Sequence, residues 1–73
     1  MLLSPLTPRQ AVVLDFVRRF IFSNGYSPTV REIGLGLDIS SPNGVTCHLR
    51  ALEQKGAIRR MPRKPRTIVV TAA

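Results

Sequence analysis

Between Thr29 and Gly56 the sequence starts a helix, stops it and starts another. Thr29 with Glu32 three residues on is a capping box, in which a hydroxyl and a carboxyl satisfy N–H groups left bare at a helix start. Asp38 follows where the backbone must turn left-handed, and Asp tolerates that conformation better than most residues. Ser41 can then cap a new helix through its hydroxyl. Pro42 sits at the first helical position, where its missing N–H costs nothing. Gly56 after Lys55 is a left-handed stop. The spacing predicts helix, three- or four-residue turn, helix, which is the size of a helix-turn-helix. Val30, Ile33 and Leu37 are expected to face inward with Leu35 flanking them, and Ile39 to tuck the turn into the core. Gly34 and Gly36 lie inside the first of these helices, each costing about 1 kcal/mol against Ala. Both therefore predict close approach by another backbone.

The second of these helices has two unlike sides. At 100° per residue Val45, Leu49 and Leu52 fall together, with His48 at their edge. Asn43, Cys47, Arg50 and Gln54 fall opposite, flanked by Gly44 and Thr46. Exposed helix faces usually carry long, mixed charges. This face carries short, uncharged hydrogen-bonding groups near its N-terminus and turns basic further on, and the short groups suit close approach to the edges of base pairs. By itself the face is equally compatible with an ordinary, weakly polar exterior. As a reading face, it offers Asn43, whose amide can pair with adenine through two bonds, while Thr46 and Cys47 can meet a thymine methyl or exclude bulk. The helix start can hold a phosphate at Ser41.

The preceding segment, Leu6 to Gly25, predicts another helix. Thr7 is its cap, Pro8 its first residue and Gln10 the partner in a second capping box. Leu6 can staple against Ala11. Val13, Phe16, Val17 and Phe20 form an apolar stripe, with Asp15, Arg18 and Arg19 outside it. Phe22 points away from the stripe. It is expected to pack under a neighbouring segment, the alternative being a partner site. Tyr26-Ser27-Pro28 must be extended, since a residue before proline avoids the helical region. Beyond Gly56 the period changes: Ala57–Met61 and Thr67–Val70 predict short strands. Pro62–Arg66 joins them as a hairpin tip, because two prolines so close cannot lie in a central ladder. The fold class is mainly α with a small antiparallel β-hairpin, a three-helix winged helix-turn-helix. Residues 1–70 form the domain, and 71–73 a tail or the start of a linker.

Charge indicates what such a domain would bind. Of the net +7, residues 1–53 contribute +1 (five Arg/Lys, four Asp/Glu) and residues 54–73 contribute +6 (six Arg/Lys, no acid). A basic segment localised in this way points to a polyanion, nucleic acid foremost, with a solubilising tail as the alternative. Seventy-three residues make one domain with a small core. No apolar run approaches the roughly 20 residues of a membrane span, and MLLSPLTPRQ lacks the basic start and apolar core of a secretory signal. One Cys and one His give neither an internal disulfide nor a metal-ligand set. The expected setting is cytoplasmic and nucleoid-associated, without cofactor, metal or membrane.

Several stretches in order carry a family likeness: L-T-x-R-Q at 6–10, G-Y-S-P-T-V-R-E-I-G at 25–34, S-S-P-N-G-V at 40–45, H-L-R-A-L-E-x-K-G at 48–56 and K-P-R-T-I at 64–68. Through them the chain resembles the N-terminal DNA-binding domain of the LexA family, repressors of the bacterial SOS response, over roughly Leu6 to Val70. The resemblance implies a winged helix-turn-helix with its third helix in the major groove and its wing on the backbone. It implies base reading by Ser41, Asn43, Gly44, Thr46 and Cys47. Backbone contacts would come from Thr29, Arg31, Ser41, Arg50, Arg63, Lys64 and Arg66. It further implies double-stranded DNA with a palindromic operator as partner, and a chain that is monomeric alone and paired on DNA. The best-known members carry longer, often acidic side chains where Thr46 and Cys47 stand, so the operator is expected to differ. The family's second domain, with a Ser–Lys self-cleavage dyad, has no counterpart here: Lys55 and Lys64 are the only lysines, and both lie in the winged-helix pattern. The chain is then either the DNA-binding fragment of a longer repressor or a stand-alone regulator.

Two other classes compete. A winged helix can dock an acidic partner protein, which predicts sequence-blind DNA binding and an exposed apolar patch around Phe22. An enzyme is argued against by the residues. His48 lies beside core positions, and Cys47 has no His partner elsewhere in the chain to activate it.

Overall fold

Two reciprocal capping boxes set helix starts. The Gln10 amide donates to Thr7 Oγ1 at 3.2 Å and the Thr7 amide to Gln10 Oε1 at 3.1 Å. The Glu32 amide donates to Thr29 Oγ1 at 3.1 Å and the Thr29 amide to Glu32 Oε1 at 2.9 Å. In the computed structural model, which describes residues 5–61 and 63–71, these boxes open α1 (Pro8–Asn24) and α2 (Val30–Leu37). The third helix, α3, spans Pro42–Gln54. Strands β1 (Ile58–Arg59) and β2 (Val69–Val70) follow, antiparallel, with Ile58 opposite Val70 and Arg59 opposite Val69. The architecture is a three-helix winged helix-turn-helix.

The stops are as local as the starts. Asp38 is left-handed (φ 56°, ψ 42°) and closes α2 onto Gly34 O. Gly56 is left-handed at φ 79°. Its amide donates to Glu53 O and that of Ala57 to Leu52 O, the paired bonds of a Schellman stop. The four residues Asp38–Ser41 form the turn between α2 and α3. It is tight enough that a Cβ on Gly34 would lie 3.1 Å from Ile39 O, backbone against backbone. Gly36 differs from expectation. A Cβ there would run into the ring of Phe16, so the close neighbour is a side chain of α1.

The core joins Val13, Leu14 and Val17 of α1 to Ile33 of α2 and Val45, Leu49 and Leu52 of α3, with Ala57, Ile58 and Ile68 beneath the hairpin. Leu14 lies outside the expected stripe. It is buried because α1 packs against both other helices, so its inner side is wider than one row. Phe16 and Phe20 are only half-buried. Leu6 packs on the core, while Ala11 is exposed.

Three further expectations are corrected. Leu35 is 76% exposed, since it lies about 200° around the helix from Ile33. Phe22 is 91% exposed and packs under nothing. The strands are two residues long, shorter than Ala57–Met61 and Thr67–Val70. Pairing ends because the Met61 amide donates to Thr67 Oγ1 (3.0 Å) instead of a ladder carbonyl, and Arg63 and Arg66 turn left-handed (φ 64° and 59°). Thr71 is tied back by its amide to Ala57 O and its hydroxyl to Gly56 O. The rest of the expected tail, 72–73, and Pro62 of the hairpin tip lie outside the described residues. Among the described residues no helix is long and apolar enough to cross a membrane.

Candidate nucleic-acid interface

The outer side of α3 follows from its inner one. Burying Val45, Leu49 and Leu52 turns Asn43, Cys47, Arg50 and Gln54 outward, all exposed, with Gly44 and Thr46 half-buried beside them. Among the described residues the side chains of Asn43, Cys47, Arg50 and Gln54 make no hydrogen bond, so their polar atoms are free for a ligand. Thr46 is partly committed: Oγ1 donates to Pro42 O at 3.0 Å, leaving its methyl and oxygen lone pairs. Gly44 serves packing as well as exposure, because a Cβ there would sit 3.3 Å from Ile39 Cγ2 in the turn.

Ser41 is at the helix start as expected, yet its hydroxyl caps nothing. The Gly44 amide bonds instead to Ser41 O at 3.1 Å. The Ser41 backbone (φ −108°, ψ 124°) also departs from that of the two threonine caps (φ −70°, ψ 159° and φ −83°, ψ 165°). With Pro42 lacking an N–H, the Asn43 amide has no partner among the described residues. The hydroxyl and this amide remain available to an anion.

The basic residues collect around two clefts. One, of about 330 Å³, lies between the start of α2 and the wing and is lined by Thr29, Arg31, Arg63, Lys64 and Arg66, among others. The second, of about 430 Å³, lies between α3 and the wing and is lined by Arg50, Glu53, Arg60 and Arg63. Arg60 and Arg63 border both. Arg60 is held by Glu53 (Nε to Oε1, 2.8 Å). Arg31, Arg50, Arg63 and Lys64 are exposed and make no ion pair among the described residues. The second cleft thus meets the outer side of α3 at Arg50 and joins the first through Arg60 and Arg63.

Arg66, expected on the phosphate backbone, is exposed but bonded to the protein's own groups. Its two terminal nitrogens meet Glu32 Oε1 at 2.9 Å and Oε2 at 3.2 Å. Nη1 also donates to Ser27 O at 3.2 Å, and the guanidinium lies 4.8 Å from the centre of the Tyr26 ring. The Glu32 carboxyl is held below its ordinary value, first by the Thr29 backbone N–H and then by Arg66. Ser27, buried, accepts the Ile68 amide at its Oγ (3.1 Å) and donates to Pro28 O. Thr67 accepts the Met61 amide and donates to Lys64 O at 3.0 Å, closing the tip. Sequence reasoning did not assign Tyr26, Ser27 or Thr67 a role and read Glu32 only as a cap. The signal for Ser27 was a small polar residue immediately before Pro28, in a segment already forced to be extended.

Comparison with known proteins agrees with this geometry. The family model described as the LexA DNA binding domain matches residues 3–67. The LexA repressor of Anaeromyxobacter sp. (strain Fw109-5) is 56% identical over 66 residues, covering 90% of this chain and 29% of that protein. That of Anaeromyxobacter dehalogenans (strain 2CP-1) is 53% identical over 68 residues, 93% of this chain and 30% of that protein. That of Mycobacterium tuberculosis (strain H37Ra) is 44% identical over 70 residues, 96% of this chain and 30% of that protein. The chain thus spans about 30% of the length of these curated relatives. What it shares with them is the DNA-binding domain, and no peptidase domain lies within its 73 residues.

Proposed function

The chain belongs to the LexA DNA-binding domain family, and from that premise we propose that it reads a double-stranded DNA operator and acts as the reading head of a transcriptional repressor. The observation that carries this is the continuity of the α3 face with the two cationic clefts. Among the described residues the side chains of Asn43 and Cys47 on α3 are unbonded, and Arg31, Arg50, Arg63 and Lys64 beside them make no ion pair. In this reading α3 enters the major groove. Asn43 reads adenine through its amide, Thr46 and Cys47 lie against a thymine methyl, and Gly44 lets the helix approach. Ser41 and the Asn43 amide hold a phosphate at the helix start. Arg31, Arg50, Arg63 and Lys64, with Thr29, follow the backbone and fix the register without reading sequence.

A module this small presents one reading helix, so specific affinity comes from two copies on a palindromic site, monomeric apart and paired on DNA. Bound there, the pair represses by occupying the operator, and the working compartment is the cytoplasm at the nucleoid. The test is selection from a randomised duplex library at two salt concentrations. Recovery of a palindromic motif by the wild-type chain supports the reading. Binding that falls steeply with salt and selects nothing contradicts it.

One observation favours a second reading, docking of an acidic partner protein. Phe22 is 91% exposed in a shallow bowl with Arg18, Arg19 and Ser23, on α1. Such a partner would bind without competition from duplex DNA.

A further inference from the structure

We propose that Glu32 and Arg66 are a positioning pair that sets where the wing carries Arg63 and Lys64 relative to α3. This rests on the DNA-binding reading above and concerns how that reading is achieved. The base of the wing is anchored by buried Ile58 and Ile68 and by the Arg60–Glu53 pair, but its ladder is short. Its ladder is two residues per strand, and its tip contains two residues in left-handed backbone, Arg63 and Arg66. Arg66 is the wing side chain that ties the tip to the start of α2. Arg66 grips Glu32 with a two-pronged pair at 2.9 and 3.2 Å, donates to Ser27 O at 3.2 Å and lies over Tyr26. Planar, two-point pairing of this kind fixes orientation as well as distance.

Glu32 couples the wing to the reading unit. The Oε1 that receives Arg66 also accepts the Thr29 amide that caps α2. Two residues below the turn-facing Gly34, it sits on the helix that packs directly against α3. Ser27 reinforces the same joint by accepting the Ile68 amide. Arg63 and Lys64 lie two and three positions before Arg66, so the place of the guanidinium fixes where they can reach. A direct phosphate role for Arg66 fits less well. Its charge is matched by Glu32 at contact distance, so the pair adds little to the neutralisation of a phosphate.

Glu32→Gln separates the two roles. Gln retains the capping bond to Thr29, since either Glu or Gln serves in a capping box, and only the charged pairing with Arg66 is lost. For a positioning pair, Glu32→Gln weakens binding to the selected operator on the order of fivefold, the equivalent of one well-made ion pair. Arg66→Ala does the same, and the double variant is no worse than either single one. In the free protein, hydrogen exchange of the Ile68 amide accelerates in Glu32→Gln while that of Leu49 does not. For a direct phosphate ligand, Glu32→Gln removes a negative charge beside DNA and tightens binding. Tighter binding, additive single effects or unchanged Ile68 exchange overturns the proposal. If wild-type protein selects no duplex, the DNA-binding reading fails instead, and Ile68 exchange still reads the pair on its own.

Discussion

The root of the wing and the outer face of α3 are built in opposite ways. At the root, polar groups are consumed within the protein: Ser27 by Ile68 and Pro28, Glu32 by Thr29 and Arg66, Thr67 by Met61 and Lys64. On α3, Asn43, Cys47, Arg50 and Gln54 are exposed and unbonded among the described residues. Partnered groups hold shape, while unpartnered exposed groups are free to exchange water for a ligand without breaking anything. The comparison shows that a basic residue's value depends on what already holds it. Arg63 and Arg66 both lie in the wing in left-handed backbone, yet among the described residues the first makes no ion pair and the second is held by Glu32.

The comparison can be broken most severely from below. Leu49 is fully buried under both regions. Leu49→Ala should cost about 2–5 kcal/mol in denaturant unfolding, enough to unfold a domain of this size and abolish both functions. Gly34→Ala places a methyl against the Ile39 carbonyl and should cost about 1–3 kcal/mol by the same measurement, with strain at the turn. Arg63→Ala should leave the melting temperature within error and weaken all duplexes alike, lowering the salt slope by about one.

Acid sharpens the comparison from the other side. The carboxyl of Glu32 titrates below its ordinary value in the folded protein. Its contribution is therefore fully present above the unfolded value and is lost as pH falls through the lower folded one. As pH falls through that lowered value the Ile68 amide should lose protection, while Glu32→Gln removes that step. The smallest effect is expected from Phe22→Ser, which should change stability and duplex affinity by no more than about 0.5 kcal/mol. A larger loss of affinity would move the interface toward α1.

What the sequence disclosed divides along the same line as the chemistry. Thr7, Thr29, Asp38 and Gly56 were legible because a cap is decided by a few neighbouring residues, whatever the rest of the chain does. The inner and outer rows of α3 were legible because its period is fixed. Ser41 was misread in part: a good cap residue stands there, but its hydroxyl makes no cap bond and its backbone departs from that of the two threonine caps. Arg66 could not be assigned from local pattern, since its partner is 34 residues away and already explained as a cap. Phe22 was expected under a neighbouring segment and Leu35 beside the inward row, because apolar residues favour burial, yet the helices offer fewer inward positions than the chain has apolar side chains. The basic cluster was visible as charge, but not which cations were already paired.

The most direct test compares Asn43→Ala with Arg63→Ala, each titrated against the selected duplex and a scrambled one at fixed salt. If α3 reads and the wing holds, Asn43→Ala loses about 1–3 kcal/mol on the selected duplex alone and the ratio of the two affinities collapses. Arg63→Ala then weakens both duplexes and leaves the ratio intact. An unchanged ratio in Asn43→Ala, with the protein folded, would contradict the assignment of sequence reading to this face.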